Sequence, residues 1–193
     1  MQTYGGYTDE NCILLAQNGD KEAEEVLLIR YRNLVLSYAR KFFLVGGETE
    51  DLIQEGMIGL YQAIGEYKVD KGNFRAFAKL CISRKIIDAV KKACSKKNGP
   101  MNNYVSIMDE QGGLAYLQDP DEKMICDDDR IELNKKMSQI LTDVEFKVFT
   151  MYMDGASSGE ICERTGKTPK SVDNAIQRSK QKLRKALKPK ENK

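Results

Sequence analysis

A chain of 193 residues is long enough for one large or two small domains with cores of their own, and too long to depend on covalent staples. Its 31 Lys and Arg against 29 Asp and Glu leave a formal charge of +2, which excludes a uniformly basic coat for nucleic acid; electrostatic recognition has to be local. With no histidine, no G-x-x-x-x-G-K-[ST] loop and no run of 18 apolar residues, Ser-His-Asp or Cys-His catalysis, P-loop nucleotide hydrolysis and membrane spanning all lack a basis.

Apolar residues recur at helical spacing almost throughout, so an all-α fold is expected. Thr8 or Asp9 opens a short helix through Ile13, Leu14 and Leu15 that Gly19 closes. Asp20 caps a longer one carrying Ala23, Val26, Leu27, Leu34, Tyr38 and Phe42 to Gly46-Gly47. Thr49 is the expected N-cap of a third, with Glu50 and Asp51 in its first turn, where the helix dipole favours negative charge. It runs through Leu52, Met57, Leu60, Ile64 and Tyr67 to a turn at Asp70-Lys71-Gly72. A fourth helix begins near Asn73 and reaches about Ala93.

From Ser95 to about Arg130 the pattern fails among Gly99, Pro100, Gly112, Gly113 and Pro120. The stretch from Asp109 to Glu132 has nine acids and two bases. So long a structureless run favours two helical domains, 1–95 and 131–193, joined by an extended acidic linker over 96–130. Helical spacing then resumes at Ile131, Met137, Ile140 and Leu141. Thr142 and Glu145 form a capping box, as do Ser157 and Glu160. Gly166 ends the short helix, and Thr168-Pro169 starts the last one, with Val172, Ala175, Ile176, Ser179, Leu183 and Leu187 on one stripe. Two helices joined by so short a glycine turn predict a helix-turn-helix.

The charges are sorted by segment. Arg164 to Lys193 holds eleven bases and two acids, and the second helix of such a motif enters the major groove by its N-terminal residues. Lys170, Ser171, Asn174, Gln177 and Arg178 are thus candidates for base edges and flanking phosphates. A second cluster, Arg84, Lys85, Lys91, Lys92, Lys96 and Lys97 against Asp88, follows Phe74 and Phe77. Aromatic rings beside cations suit unstacked bases over a phosphate track, although two Phe at this spacing more often mark a core stripe. The third helix has the opposite sign: Glu48 to Asp70 carries six acids and one base, a surface suited to a basic protein partner.

The N-terminal MQTYGGYTDEN lacks the basic start and apolar run of a signal peptide, so a cytoplasmic protein is expected. Five cysteines without a C-x-x-C pair, and no histidine, predict reduced and mostly buried thiols, with neither metal nor cofactor and no catalytic residues. Three functional classes fit these residues: a specificity subunit that joins a larger enzyme to DNA, an autonomous helix-turn-helix regulator, and a helical adaptor with a basic tail. The acidic third helix speaks against the regulator, which has no use for such a surface.

DLIQEGMIGLYQAI from Asp51, with NFRAFAKLCISRKIIDAVKKA from Asn73, resembles conserved region two of bacterial RNA polymerase sigma factors of the sigma-70 class. SGEICERTGKTPKSVDNAIQ from Ser158 to Gln177, with the following RSKQKLRKAL, resembles their region four. The F-x-A-F-A-x-L-C-I run and the N-x-Y-V-S step at Asn102 to Ser106 look most like the sigma-H type of stationary phase and sporulation. The resemblance implies a non-catalytic initiation subunit. It assigns docking on the β′ coiled coil of core polymerase to Asp51, Leu52, Gln54, Glu55, Met57, Ile58, Leu60 and Tyr61. Strand opening and minus-ten reading fall to Phe74, Phe77, Leu80, Cys81, Arg84, Lys85, Asp88, Lys91 and Lys92. The minus-35 element falls to Thr168, Lys170, Ser171, Asn174, Gln177 and Arg178. The β flap of the polymerase, promoter DNA and an anti-sigma factor are the further partners such a chain could take, with no membrane. The chain departs from primary sigma factors in having no Trp, and Leu80 and Cys81 cannot stack on a base as an indole would.

Overall fold

A computed structural model of the chain describes residues 6–42, 49–68, 72–96 and 134–187. The expected acidic linker, the stops at Gly46-Gly47 and Asp70-Lys71, the N-x-Y-V-S step, Ile131, Lys97 and Cys126 lie outside the described residues. Those described are helical, with no strand among them: α1 (Asp9–Gln17), α2 (Lys21–Arg40), α3 (Thr49–Glu66), α4 (Phe74–Lys96), α5 (134–140), α6 (Asp143–Met153), α7 (Ser158–Thr165) and α8 (Pro169–Leu187). No helix among them is long and apolar enough to cross a membrane.

The caps explain where most helices begin. Thr8 accepts from the Asn11 N–H to start α1, and Asp20 accepts from the N–H groups of Glu22 and Ala23 to start α2, each satisfying donors with no intrahelical partner. Thr49 is the first residue of α3 rather than its cap, because the helix starts one residue earlier than its side-chain chemistry suggests. The Asn73 side chain accepts from the Arg75 N–H ahead of α4, which runs to Lys96, three residues past the expected end.

The first unit is a core of α1 to α4, with Leu27, Val35, Leu60, Ile64, Phe74, Ile82 and Ile86 buried at its centre. Two glycines let α3 approach its neighbours: a Cβ on Gly59 would lie 3.0 Å from the Cys81 carbonyl oxygen of α4, and one on Gly56 would meet Val35 of α2 at 2.7 Å. Gln17 of α1 donates to the carbonyls of Ile64 at 2.8 Å and Tyr67 at 2.9 Å, which answers acceptors left open at the end of α3. Asp9 accepts from both Arg30 and the Tyr31 hydroxyl, joining α1 to α2. Burial, aided by the bond to Asp9, pushes the Tyr31 phenol well above its ordinary range.

The second unit packs α6, α7 and α8 around Val148, Ile161, Val172 and Ile176, and closes a second cluster of Met137, Leu141, Phe149 and Leu183 under α5. Both capping boxes form as the sequence predicts, and Gly166 ends α7 with φ +67°, a left-handed conformation that only glycine adopts freely.

Candidate functional site

Three surfaces carry the residues singled out by the sequence. On α8, Val172, Ala175, Ile176, Ser179 and Leu183 face inward, which turns Lys170, Ser171, Asn174, Gln177 and Arg178 outward. Thr168, also exposed, accepts from the Ser171 N–H at 3.4 Å and so caps the helix it precedes. The geometry is that of a cationic rod with short polar side chains at its leading end.

On α4, Arg84, Asp88, Lys91 and Lys92 are exposed and Lys85 is half-buried. Phe77, Leu80 and Cys81 are half-buried at the upstream end, Phe77 with its ring centroid 5.8 Å from that of Tyr67. Phe74 does not share this surface. It is 1% exposed, with its ring edge-on to Tyr31 at 5.1 Å and to Tyr67 at 5.2 Å, so its expected stacking role gives way to packing.

On α3, Asp51, Gln54, Ile58 and Tyr61 stand on one outer face, with Glu55 and Met57 half-buried at its margins. Ile58 is 45% and Tyr61 52% exposed, an uncovered apolar pair on an otherwise acidic helix. Leu52 and Leu60, expected at a partner surface, are core residues at 7% and 0% exposure, because their register points them at α2 and α4. Their part is to hold the helix whose other face is offered.

Cys12, Cys81 and Cys162 are free thiols, the first buried and the others half-buried. Desolvation pushes the Cys12 thiol up, which makes it unreactive as a nucleophile.

Local sequence reading missed a contact between the two units. Arg40, at the end of α2, donates through Nη1 to the carbonyl oxygens of Tyr152 and Ala156, both at 2.8 Å, and its guanidinium lies 4.0 Å from the Tyr152 ring centroid. The partners are 112 and 116 residues away, so no periodicity or spacing could have announced them.

Known proteins sharpen this picture. The family described as Sigma-70 region 2 matches residues 27–94, and that described as Sigma-70, region 4 matches 136–183. The chain is 42% identical to the RNA polymerase sigma-H factor of Bacillus licheniformis over 93% of its own length and 86% of that relative. It is equally similar to the sigma-H factor of Bacillus subtilis (strain 168), with 88% of that relative covered. Similarity to the ECF RNA polymerase sigma-E factor of Escherichia coli (strain K12) is 20% identity over 88% of this chain and 95% of that one. Two region matches spanning most of the described residues, in the order in which the acidic and cationic surfaces occur, place the chain in the sigma-70 family of RNA polymerase sigma factors, whose function is to bind core polymerase and direct it to promoters.

Proposed function

We propose that the three surfaces divide this activity among them. The outer face of α3, with Asp51, Gln54, Glu55, Met57, Ile58 and Tyr61, docks on the β′ coiled coil. The exposed face of α4, from Phe77, Leu80 and Cys81 through Arg84, Lys85, Asp88, Lys91 and Lys92, opens and reads the minus-ten element. The leading end of α8, with Thr168, Lys170, Ser171, Asn174, Gln177 and Arg178, reads the minus-35 element, and its unit seats on the β flap. The units correspond to residues 1–95 and 131–193, with 96–130 between them, and the protein works in the cytoplasm without a catalytic group of its own.

The observation that carries this reading is the exposed pair Ile58 and Tyr61 on an acidic helix. An exposed apolar pair on a helix whose charged residues are all acidic suits a basic protein groove and disfavours DNA, whereas α8 has the opposite composition. Similarity to sigma-H factors favours a stationary-phase or sporulation regulon. Run-off transcription with purified core polymerase on a fragmented genomic library tests the assignment. Discrete starts sharing a two-part upstream consensus are expected; transcripts identical to those of core alone would reject it. The same assay with added candidate anti-sigma proteins reads out any inhibitor.

A further inference from the structure

An exposed residue of α1 grips the joint between α3 and α4, the two helices among which the work of the first unit is divided. The side-chain amide of Gln17 donates to the carbonyl oxygens of Ile64 at 2.8 Å and Tyr67 at 2.9 Å, with the Gly65 carbonyl farther off at 3.4 Å. Ile64 and Gly65 belong to the last turn of α3, whose carbonyls lack intrahelical partners, and the Ala63 carbonyl before them accepts from the Tyr67 N–H at 3.0 Å. Gln17 therefore reaches past the end of the helix and fixes the main chain at Tyr67. It lies on neither the docking nor the reading surface.

Tyr67 passes that constraint on. It is buried, its hydroxyl donates to the Gly72 carbonyl, and its ring lies edge-on to Phe74 at 5.2 Å and tilted to Phe77 at 5.8 Å. Gly72 holds φ +82° and is followed at once by the first turn of α4, where the Asn73 carbonyl accepts from the N–H groups of Ala76 at 3.1 Å and Phe77 at 3.2 Å. One tyrosine thus touches the start of α4 through its hydroxyl and both phenylalanines through its ring. Phe74 is enclosed in the core, whereas Phe77 is half-buried, so the ring packed against it decides where it stands.

We infer that Gln17 is a positioning residue for promoter opening: by holding the Tyr67 main chain it sets the ring against which Phe77 packs, and so the place that Phe77 offers to an unstacked base. This role rests on the assignment of Phe77 to strand opening. The chemistry needed at position 17 has a sign. The open carbonyls of α3 form the negative end of its dipole, so a donor is required there and a cation is favourable, whereas a carboxylate has no proton to donate and meets charge of its own sign. Gln17→Glu, with the same shape and no donor, should break the hold. Gln17→Lys should keep it.

Holoenzyme assembled from core polymerase and the full chain tests this, with opening of a duplex promoter followed by permanganate reactivity of the minus-ten thymines. Gln17→Glu should slow opening by about three- to ten-fold, which is about 0.7–1.4 kcal/mol at about 1.4 kcal/mol per decade, and Gln17→Lys should restore most of the rate. Competition for core polymerase, and transcription from a template already mismatched across the minus-ten element, should stay at the wild-type level in both variants; a role in stability alone would lower these as well. Because the site is exposed, the melting temperature should fall by no more than about 4 °C. In a Phe77→Ala background Gln17→Glu should have no further effect.

A fluorine spectrum of the free chain labelled with fluorophenylalanine reads the ring itself, the Phe77 resonance being the one lost in Phe77→Leu. It should shift or broaden in Gln17→Glu and return in Gln17→Lys. An unmoved resonance, or wild-type opening by Gln17→Glu where Phe77→Ala is slow, would overturn the positioning role. A moved resonance with Phe77→Ala opening at the wild-type rate would instead reject Phe77 as the opener, and the role of Gln17 in opening with it, while leaving the hold of Gln17 on Tyr67 and Phe77 in place.

Discussion

One oxygen of Glu145 serves two elements: Oε2 accepts from the backbone N–H of Thr142 at 3.0 Å, closing the capping box of α6, and from Lys182 Nζ of α8 at 2.6 Å. Burial pushes this carboxyl up, but the bonds from Lys182 and Thr142 outweigh it and hold the group below its ordinary 4.5. A carboxyl lowered in this way contributes stability that is complete above about pH 4.5 and is lost as pH falls through the folded value. Glu145→Gln should therefore destabilise the helix-turn-helix unit by about 1–2 kcal/mol at neutral pH, and the difference from wild type should shrink on acidification. Thermal melts across the acid range check this; a gap that persists undiminished at the lowest pH would refute it.

The α3 ridge predicts a separation of stability from association. Ile58→Glu combined with Tyr61→Ala should move the melting free energy by no more than about 0.5 kcal/mol, as expected for exposed positions. Competition with wild type for core polymerase should fall by about 2 kcal/mol or more if the pair anchors the dock. Undiminished competition would remove α3 from the interface.

For α8, phosphate and base contacts have different signatures. Lys170→Ala should weaken holoenzyme binding across all promoters alike and lower the salt slope by about one counterion. Asn174→Ala or Gln177→Ala should leave that slope in place and relax the choice at one minus-35 position by about 1–3 kcal/mol. Binding titrations at several salt concentrations on single-substitution promoters distinguish them.

Phe74 provides a test of packing against chemistry. With its ring enclosed by Tyr31 and Tyr67, Phe74→Ala should cost about 3–5 kcal/mol and disrupt the first unit. Phe77→Ala, at a half-buried position, should cost less and act on promoter opening. Equal stability of Phe74→Ala and wild type by denaturant unfolding would return Phe74 to the reading surface.

Local chemistry made much of the fold legible. Asp20, the pairs Thr142 with Glu145 and Ser157 with Glu160, and the left-handed Gly166 all act within a few residues of themselves, so spacing alone exposed them. The sign of α3 and α8 was equally plain, because charge is additive along a helix. What stayed hidden depends on distant partners. Apolar spacing already allowed Phe74, Leu52 and Leu60 as core residues, but the choice between core and partner surface is made by helices supplied elsewhere in the chain, with Tyr31 against Phe74. The glycines at 56 and 59 read as weak points in a helix until the surfaces of Val35 and α4 are set against them.

Gly59 has a mechanical corollary. A Cβ there would stand 3.0 Å from the Cys81 carbonyl oxygen and 3.1 Å from the Ile82 Cα, so backbone of α4 lies directly against α3 at this seam. A larger residue at 59 would push α3 away from α4 along this seam, so the relative angle of the two helices depends on the glycine.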